Sequence, residues 1–258
     1  MSSHRVCVYA FALGFVLGVP ELLGMPGSTS ALAQAADDGW RWSIAPYLWG
    51  SDVKTDVRFP SGQEVSGEAG FDDILDKLDI AAQVHAEGHR GEWGMFFDAT
   101  YLTMSDDGSR GPIATEAEID TGIYEVAAVY TPGGAAGRFS AFAGARILDL
   151  GVDLTFSGGF PNSPIRRSAD KSYTDFMIGG RYAQPLSERW LLNLRGDIGG
   201  GDSESTWNAL AVIGWRFGSD LDNAVLFGWR HMEMEFENEG VELDLTMDGP
   251  ITGVLFAF

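Results

Sequence analysis

Residues 93–101 read Trp-Gly-Met-Phe-Phe-Asp-Ala-Thr-Tyr, and this stretch decides the fold class. Apolar side chains occupy nearly every second position from Trp93 to Tyr101, and the positions between them include Asp98 and Thr100. Successive residues of a β-strand point to opposite faces. The stretch therefore predicts a strand with one apolar face and one face that carries polar groups.

The same alternation recurs along the chain and predicts ten strands. In the segment that begins at Trp190, Leu194 lies on the apolar face, whereas Asn193, Arg195 and Asp197 share the polar face. The predicted strands cover residues 40–52, 80–91, 93–105, 117–130, 138–155, 170–184, 189–199, 205–217, 223–237 and 241–258. An even number of strands places both ends of an up-and-down barrel on the same side.

The composition restricts the location and the partners of the protein. The 258 residues are 45% hydrophobic and carry a formal net charge of −20. Such an acidic chain is not expected to bind nucleic acid, because a phosphate backbone requires a basic surface. Of the basic residues, 14 are Arg and only three are Lys.

The N-terminus has the pattern of a secretory signal peptide. A basic start is followed by an apolar stretch and by the small-residue site Ala31-Leu32-Ala33. We expect residues 1–33 to be the signal and residues 34–258 to be the mature domain, which then contains no Cys because Cys7 is removed. An uncleaved membrane anchor is the alternative.

The connections between the predicted strands alternate between short and long. The short ones include 89–92 and 184–189, whereas 53–79 and 156–169 are longer, and 53–79 is also acidic. This asymmetry is typical of outer-membrane barrels, with short periplasmic turns and long outer loops. A soluble β-sandwich is the alternative.

Aromatic residues lie at the strand ends beside the short turns, where a membrane interface selects them. They are Trp40, Trp42, Trp93, Tyr130, Phe139, Tyr182, Trp190, Trp215, Phe217, Phe227, Trp229, Phe256 and Phe258. A weaker second girdle is expected from Tyr101, Tyr124, Phe156, Tyr173 and Trp207.

The C-terminus ends in Phe258, with Phe256 and Val254 on the same face. This ending looks like the assembly signal of bacterial outer-membrane barrels, which the barrel assembly machinery reads. Together with the strand pattern, it resembles small barrels of the OmpA/OmpW kind. The segments 42–49, 71–78 and 90–93 resemble an uncharacterised porin-like family of Gram-negative bacteria. The resemblance implies an all-β, up-and-down antiparallel transmembrane barrel of 8–12 strands, located in the outer membrane and in contact with lipid and lipopolysaccharide. We expect a monomer.

The polar face of the strands is expected to line the lumen. The candidates are Arg41, Gln83, His85, Glu87, His89, Asp98, Glu125, Arg146, Asp175, Arg181, Arg195, Asp197, Arg216 and Arg230. Buried charges must be paired or hydrated. We therefore predict an ion-pair network between these Arg residues and Glu87, Asp98, Glu125, Asp175 and Asp197. The network either plugs the narrow lumen or lines a thin water path.

Two candidate sites carry little chemistry. His85, Glu87 and His89 share one face, but the first and third residues of such a run lie about 13 Å apart, so we expect pore lining and no metal. His231 is the candidate of an enzymatic reading, in which the barrel acts on envelope lipid or peptide, but no nucleophile accompanies it. No catalytic residue and no cofactor is expected.

The first long connection departs from the strand pattern. Ile74, Leu75 and Leu78 lie on one stripe of a short helix over 71–79, and residues 53–69 are expected to form a hairpin. The predicted function is that of a porin-like or structural barrel with passive passage of small solutes or cations. The alternatives are a barrel enzyme and a surface adhesin.

Overall fold

The alternating segments form one antiparallel sheet in the computed structural model, which describes residues 39–110, 113–158, 164–238 and 240–258. The strands are β1 (Arg41–Trp49), β2 (Asp52–Arg58), β3 (Glu64–Ala69), β4 (Leu78–Arg90), β5 (Trp93–Arg110), β6 (Ile113–Tyr130), β7 (Phe139–Ser157), β8 (Ile165–Pro185), β9 (Trp190–Gly201), β10 (Ser205–Phe217), β11 (Asn223–Asn238) and β12 (Val241–Ala257). A single α-helix of the described residues, α1, covers Phe71–Lys77. The predicted signal peptide lies outside the described residues.

Ten of the strands close into a barrel, as the sequence predicts. β4 to β12 follow one another in chain order, and β1 pairs with both β4 and β12. The seam is fixed at the last residue, where Trp42 and Phe258 exchange two backbone hydrogen bonds of 2.9 Å. Closure leaves no free sheet edge at this end of the barrel.

β2 and β3 form a hairpin that extends the barrel wall at the long-loop end. Gly50 interrupts the first strand, after which β2 pairs with the N-terminal half of β12 and with β3. The backbone N–H of Trp49 donates to the Gln83 side chain on β4 at this break. The hairpin and the short helix agree with the sequence-based expectation, although α1 ends at Lys77.

Several strands are longer than the sequence pattern predicts. β5, β6, β7 and β8 contain 18, 18, 19 and 21 residues, whereas about 9–11 residues cross a bilayer. Much of the expected loops 106–116 and 156–169 is therefore strand. Beyond the bilayer neither face of a strand has to be apolar, so pairing continues while the hydrophobic alternation stops.

The outer face of the barrel is an apolar belt. Phe176, Ile178 and Ile198 are more than half exposed although they lie in the middle part of strands. Exposed apolar area of this kind marks contact with lipid. At the short-turn end, aromatic rings of neighbouring strands pack in pairs, such as Trp93 with Tyr130 at 4.9 Å between ring centroids. Among the described residues, no helix is long and apolar enough to cross a membrane.

The interior is filled with side chains in layers. An outer cluster at the long-loop half contains Trp49, Ile123, Leu148, Met232, Met234, Phe236 and Met247. An inner cluster at the short-turn half contains Phe96, Ala127, Val129, Phe142 and Met177. Polar side chains occupy the level between them. Tyr173, which the sequence assigns to the second girdle, instead packs inside the barrel, with 4.4 Å between the centroids of its ring and that of Phe236. Its side chain points inward because Tyr173 has the same parity as Asp175 and Met177.

Candidate functional site

The strand register brings the central charges to one level inside the barrel. Glu125 on β6 is paired with Asp98 on β5 and with Arg146 on β7. All three side chains point inward, because each occupies the polar parity of its strand. The strand register alone therefore makes acidic and basic residues neighbours, whichever rotamers their side chains adopt.

Arg146 is the centre of this level. Its Nε donates to Glu125 Oε1 at 2.8 Å, its Nη2 contacts Asp197, and its Nη1 donates to the Thr206 hydroxyl at 3.0 Å. A planar guanidinium can satisfy several acceptors at once. The buried charge of Arg146 is therefore fully compensated within the barrel.

Two further arginines share the same carboxylates. Arg195 donates to Glu125 at 2.7 Å and to Asp197 at 2.9 Å. Arg230 lies 3.4 Å from Glu125 and donates from Nε to Asn208 at 2.9 Å. We call Glu125, Asp197 and these three arginines the central network.

A histidine branch leads from this network towards the short-turn end. His85 lies 3.0 Å from both Asp98 and Glu87. Glu87 also contacts His89 and accepts a hydrogen bond from Arg181 at 2.6 Å. The imidazoles therefore face carboxylates that already accept a hydrogen bond from another side chain, Asp98 from Tyr47 and Glu87 from Arg181. Among the described residues, no group of His, Cys, Asp and Glu side chains has the arrangement that holds a metal ion.

Aromatic rings hold two guanidinium groups in place. The Arg181 guanidinium lies 4.4 Å from the Phe96 ring centroid, and that of Arg195 lies 4.9 Å from the centroid of Phe142. The two phenyl rings meet edge to face at 5.4 Å. Cation–π contacts are stronger where water is excluded. The inner cluster thereby fixes the orientation of both guanidinium groups.

Most side chains of the central network and of the outer cluster are almost fully buried. Glu125 and Arg146 are each 1% exposed, Arg230 is 3% exposed, and Met232 on the same strand is 0% exposed. Side chains that line a water-filled pore would be exposed to water on one side. These side chains are instead covered almost completely by their neighbours.

The remaining candidates of the sequence analysis lie in three different places. Gln83 supports the break between β1 and β2. Arg41 and Arg216 lie near the short-turn ends of β1 and β10 and are exposed and partly exposed. Asp175 does not pair with an arginine as expected, but accepts hydrogen bonds from the backbone and hydroxyl of Ser203. The β9–β10 turn brings Ser203 closer to Asp175 than any guanidinium.

Tyr47 and Thr206 are among the polar groups of the interior that were not predicted from the sequence. Tyr47 donates to Asp98 at 2.8 Å and lies 3.4 Å from Arg230, whereas the Thr206 hydroxyl accepts from Arg146. Both residues share the inward parity of their strands, so the alternation contained the signal. A hydroxyl group on the inward face does not by itself indicate that it will bind a charged side chain.

His231 lies on the outer face of the barrel. Its Nδ1 is 2.8 Å from Asp248, and its ring packs against Trp207 at 4.5 Å. Glu233 follows on the same face and accepts a hydrogen bond from the Trp207 indole. The group is therefore separated by the barrel wall from the central network.

Exposed ion pairs connect the strands of the hairpin to each other and to β12. Arg58 donates to Glu64 on β3 at 2.9 Å and contacts Glu242 on β12. These hydrogen bonds raise the pKa of the Arg58 guanidinium. On the same outer face, partial burial and the neighbouring Glu235 raise the pKa of Asp244 above its ordinary value.

Comparison with one solved structure, the first of those that follow, supports the fold. The outer membrane protease OmpT from Escherichia coli superimposes with a TM-score of 0.50 at 9% identity, covering 90% of this chain and 100% of the protease. Ail, the attachment invasion locus protein of Yersinia pestis, matches with a TM-score of 0.37 at 9% identity, over 84% of this chain and 99% of Ail. The outer membrane protein OprG from Pseudomonas aeruginosa gives 0.30 at 14% identity, over 85% and 96%. No family model and no curated protein sequence matches the chain.

The chain thus has the fold of the bacterial outer-membrane β-barrels. Closed antiparallel strands with an apolar outer belt and a polar interior define this class of protein, and this chain has ten such strands. Proteins with this fold differ widely in activity, so function has to be argued from the interior of this chain.

Proposed function

We propose that the protein is a structural barrel of the outer membrane whose lumen is occluded at rest, and not an open diffusion pore. The burial of the central network carries this proposal. Glu125, Arg146 and Asp197 are each at most 5% exposed, and Met232 and Met234 fill the next level of the interior. A solute would have to break buried ion pairs, and the loss of one partner of such a pair costs about 3–5 kcal/mol.

Liposome swelling tests this proposal. Vesicles that contain the folded protein are transferred into an isosmotic solution of a small sugar, and the rate of swelling is recorded. We expect the rate of protein-free vesicles. Migration of unheated and heated samples in detergent gels checks that the barrel is folded in the vesicles. Rapid swelling with folded protein would contradict occlusion.

We propose that the short-turn end of the barrel faces the periplasm and that the N-terminal signal is cleaved near Ala33. The acidic character of the long-loop end and the position of the start of β1 and of Phe258 beside the short turns support this orientation. Mass spectrometry of the mature protein tests the cleavage site. A mature chain that retains the first 33 residues would contradict it.

We propose further that the barrel inserts as a monomer and that the C-terminal strand is recognised by the barrel assembly machinery. Phe258 is 78% exposed, so its ring is available for such recognition even in the folded barrel. Crosslinking of nascent chains through the C-terminal strand tests the contact. The absence of any crosslink to the assembly machinery would contradict it.

We propose that the protein has no enzymatic activity, and His231 offers the sharpest test. His231 has a carboxylate partner in Asp248, as a catalytic base would. Its other contacts among the described residues are the Trp207 ring and the Glu233 carboxylate, and neither is a hydroxyl or thiol nucleophile. The variant His231→Ala should leave the phospholipid and lipopolysaccharide profile of the cell unchanged. A changed profile would favour the barrel enzyme.

A further inference from the structure

The short-turn half of the interior contains two adjoining cavities. The deeper one has a volume of about 220 Å³, and the one nearer the short turns about 370 Å³. Ser43, Glu87 and Leu255 line both. We call the deeper one the blind cavity. Arg230 and Asp98 form its deep end, and the buried outer cluster lies beyond them. The blind cavity is therefore approached from the short-turn end.

The wall of the blind cavity has two chemically different sides. One side consists of polar groups from β4, β8 and β9, which include His85, Arg181 and Arg195. The other side consists of aliphatic side chains from β10 and β11, which include Leu210 and Leu226. A ligand that matches this cavity has a polar group at one end and an apolar body at the other.

The polar side has more hydrogen-bond donors than acceptors. Glu87 is already engaged by Arg181 and both imidazoles, and Asp98 by Tyr47 and His85. Arg181 uses only Nη1 for its bond to Glu87. Among the contacts of the described residues, its Nε and Nη2 have no protein partner.

Arg195 adds a further donor of the same kind. Its Nε and Nη2 bind Asp197 and Glu125, which leaves Nη1 without a protein acceptor among the described residues. Each of these nitrogens keeps some accessible surface, and both arginines line the blind cavity, so the free donors are available to a ligand there. The phenyl rings beneath both guanidinium groups hold the donors in a fixed orientation. Pre-organised guanidinium forks of this kind match a carboxylate.

We propose that the blind cavity binds a small monocarboxylate with an apolar tail, which enters from the short-turn end. The carboxylate lies against Arg181 and Arg195, and the tail lies against Leu210, Val212 and Leu226. Drug-sized ligands occupy sites of roughly 300–1,000 Å³. The blind cavity is smaller, so the tail is short. That the cavity is closed at its deep end rests on the proposed occlusion. Ligand binding and conduction are measured separately, so either proposal can fail alone.

Isothermal titration with sodium octanoate tests the proposal. The protein is held in lipid nanodiscs, and the heat of titration into empty nanodiscs is subtracted. We expect saturable binding of one octanoate per barrel. 1-Octanol, which has the same tail without the charge, should bind at least tenfold more weakly, because it lacks the charge-assisted hydrogen bonds.

Two variants address the two sides of the cavity. Arg181→Gln removes donors of the polar side, and Val212→Trp fills the cavity from its apolar side. Each should weaken octanoate binding at least tenfold. Arg138→Gln is the matched control, because Arg138 is an exposed arginine at a short turn and should leave the affinity unchanged.

Each of three results would overturn the proposal. They are the absence of saturable heat in the parent protein, equal binding of octanoate and octanol, and an unchanged affinity in a folded Val212→Trp variant. The last variant keeps the proposal testable if Arg181→Gln does not fold. A barrel that binds octanoate but also swells liposomes would refute the occlusion and leave the carboxylate site standing.

Discussion

Neutralising Glu125 is the perturbation that the interior predicts most sharply. In the variant Glu125→Gln, one carboxylate that faces Arg146, Arg195 and Arg230 loses its charge while its shape is kept. Removing one partner of a buried ion pair costs about 3–5 kcal/mol, because the other charge remains buried without compensation. Three guanidinium groups share Glu125, so we expect a loss of this size in the free energy of unfolding.

Urea titration in lipid vesicles measures this loss, with tryptophan fluorescence as the signal. The matched control is Glu64→Gln, which neutralises the exposed partner of Arg58 and should leave the unfolding midpoint unchanged. A loss below about 1 kcal/mol for Glu125→Gln is typical of solvent-screened charges. That result would refute the view that the central network is dry and tightly paired.

Three other predictions concern the wall, the C-terminus and the hairpin. A Cβ at Gly144 would overlap the backbone of β6, so Gly144→Ala should lower the free energy of unfolding by about 1–3 kcal/mol, whereas Gly196→Ala, which has open space, should not; equal urea midpoints would contradict this. Deletion of Phe258 should lower the amount of barrel assembled in cells more than the unfolding midpoint of the purified protein; normal assembly would contradict the assembly signal. Because the pKa of Asp244 is raised in the folded state, its ionisation destabilises the hairpin, and stability increases as the pH falls through that pKa. Asp244→Asn should therefore slow amide exchange in the hairpin at pH 7 but not at a pH below the Asp244 pKa; an equal effect at both pH values would contradict the sign.

The barrel could be predicted from sequence because its outer face contacts lipid and its inner face contacts other side chains. Lipid requires apolar residues such as Phe176 and Ile198 on one parity, and this leaves Asp98 and Arg195 on the other. Period-two alternation records that difference directly. The extended ends of β5 to β8 were not predicted, because a strand beyond the bilayer needs no apolar face and so shows no alternation.

The partners of the interior charges could be predicted only in part. Parity indicates that Glu125 and Arg146 point inward, but their pairing depends on strand register and tilt, which a sequence pattern does not define. Asp175 shows the limit most clearly, since a turn residue, Ser203, takes the place of the expected arginine. The blind cavity was invisible in the sequence for the same reason, because its two sides come from strands that are distant along the chain.

Single-channel recording in planar bilayers tests the central claim, occlusion of the lumen, most directly. Purified protein is refolded, its folded state is confirmed by heat-dependent gel migration, and insertion is checked by recovery from the membrane. The burial of the central network and of the outer cluster predicts a flat current at moderate voltage. Regular conductance steps from the folded parent protein would contradict the occluded interior.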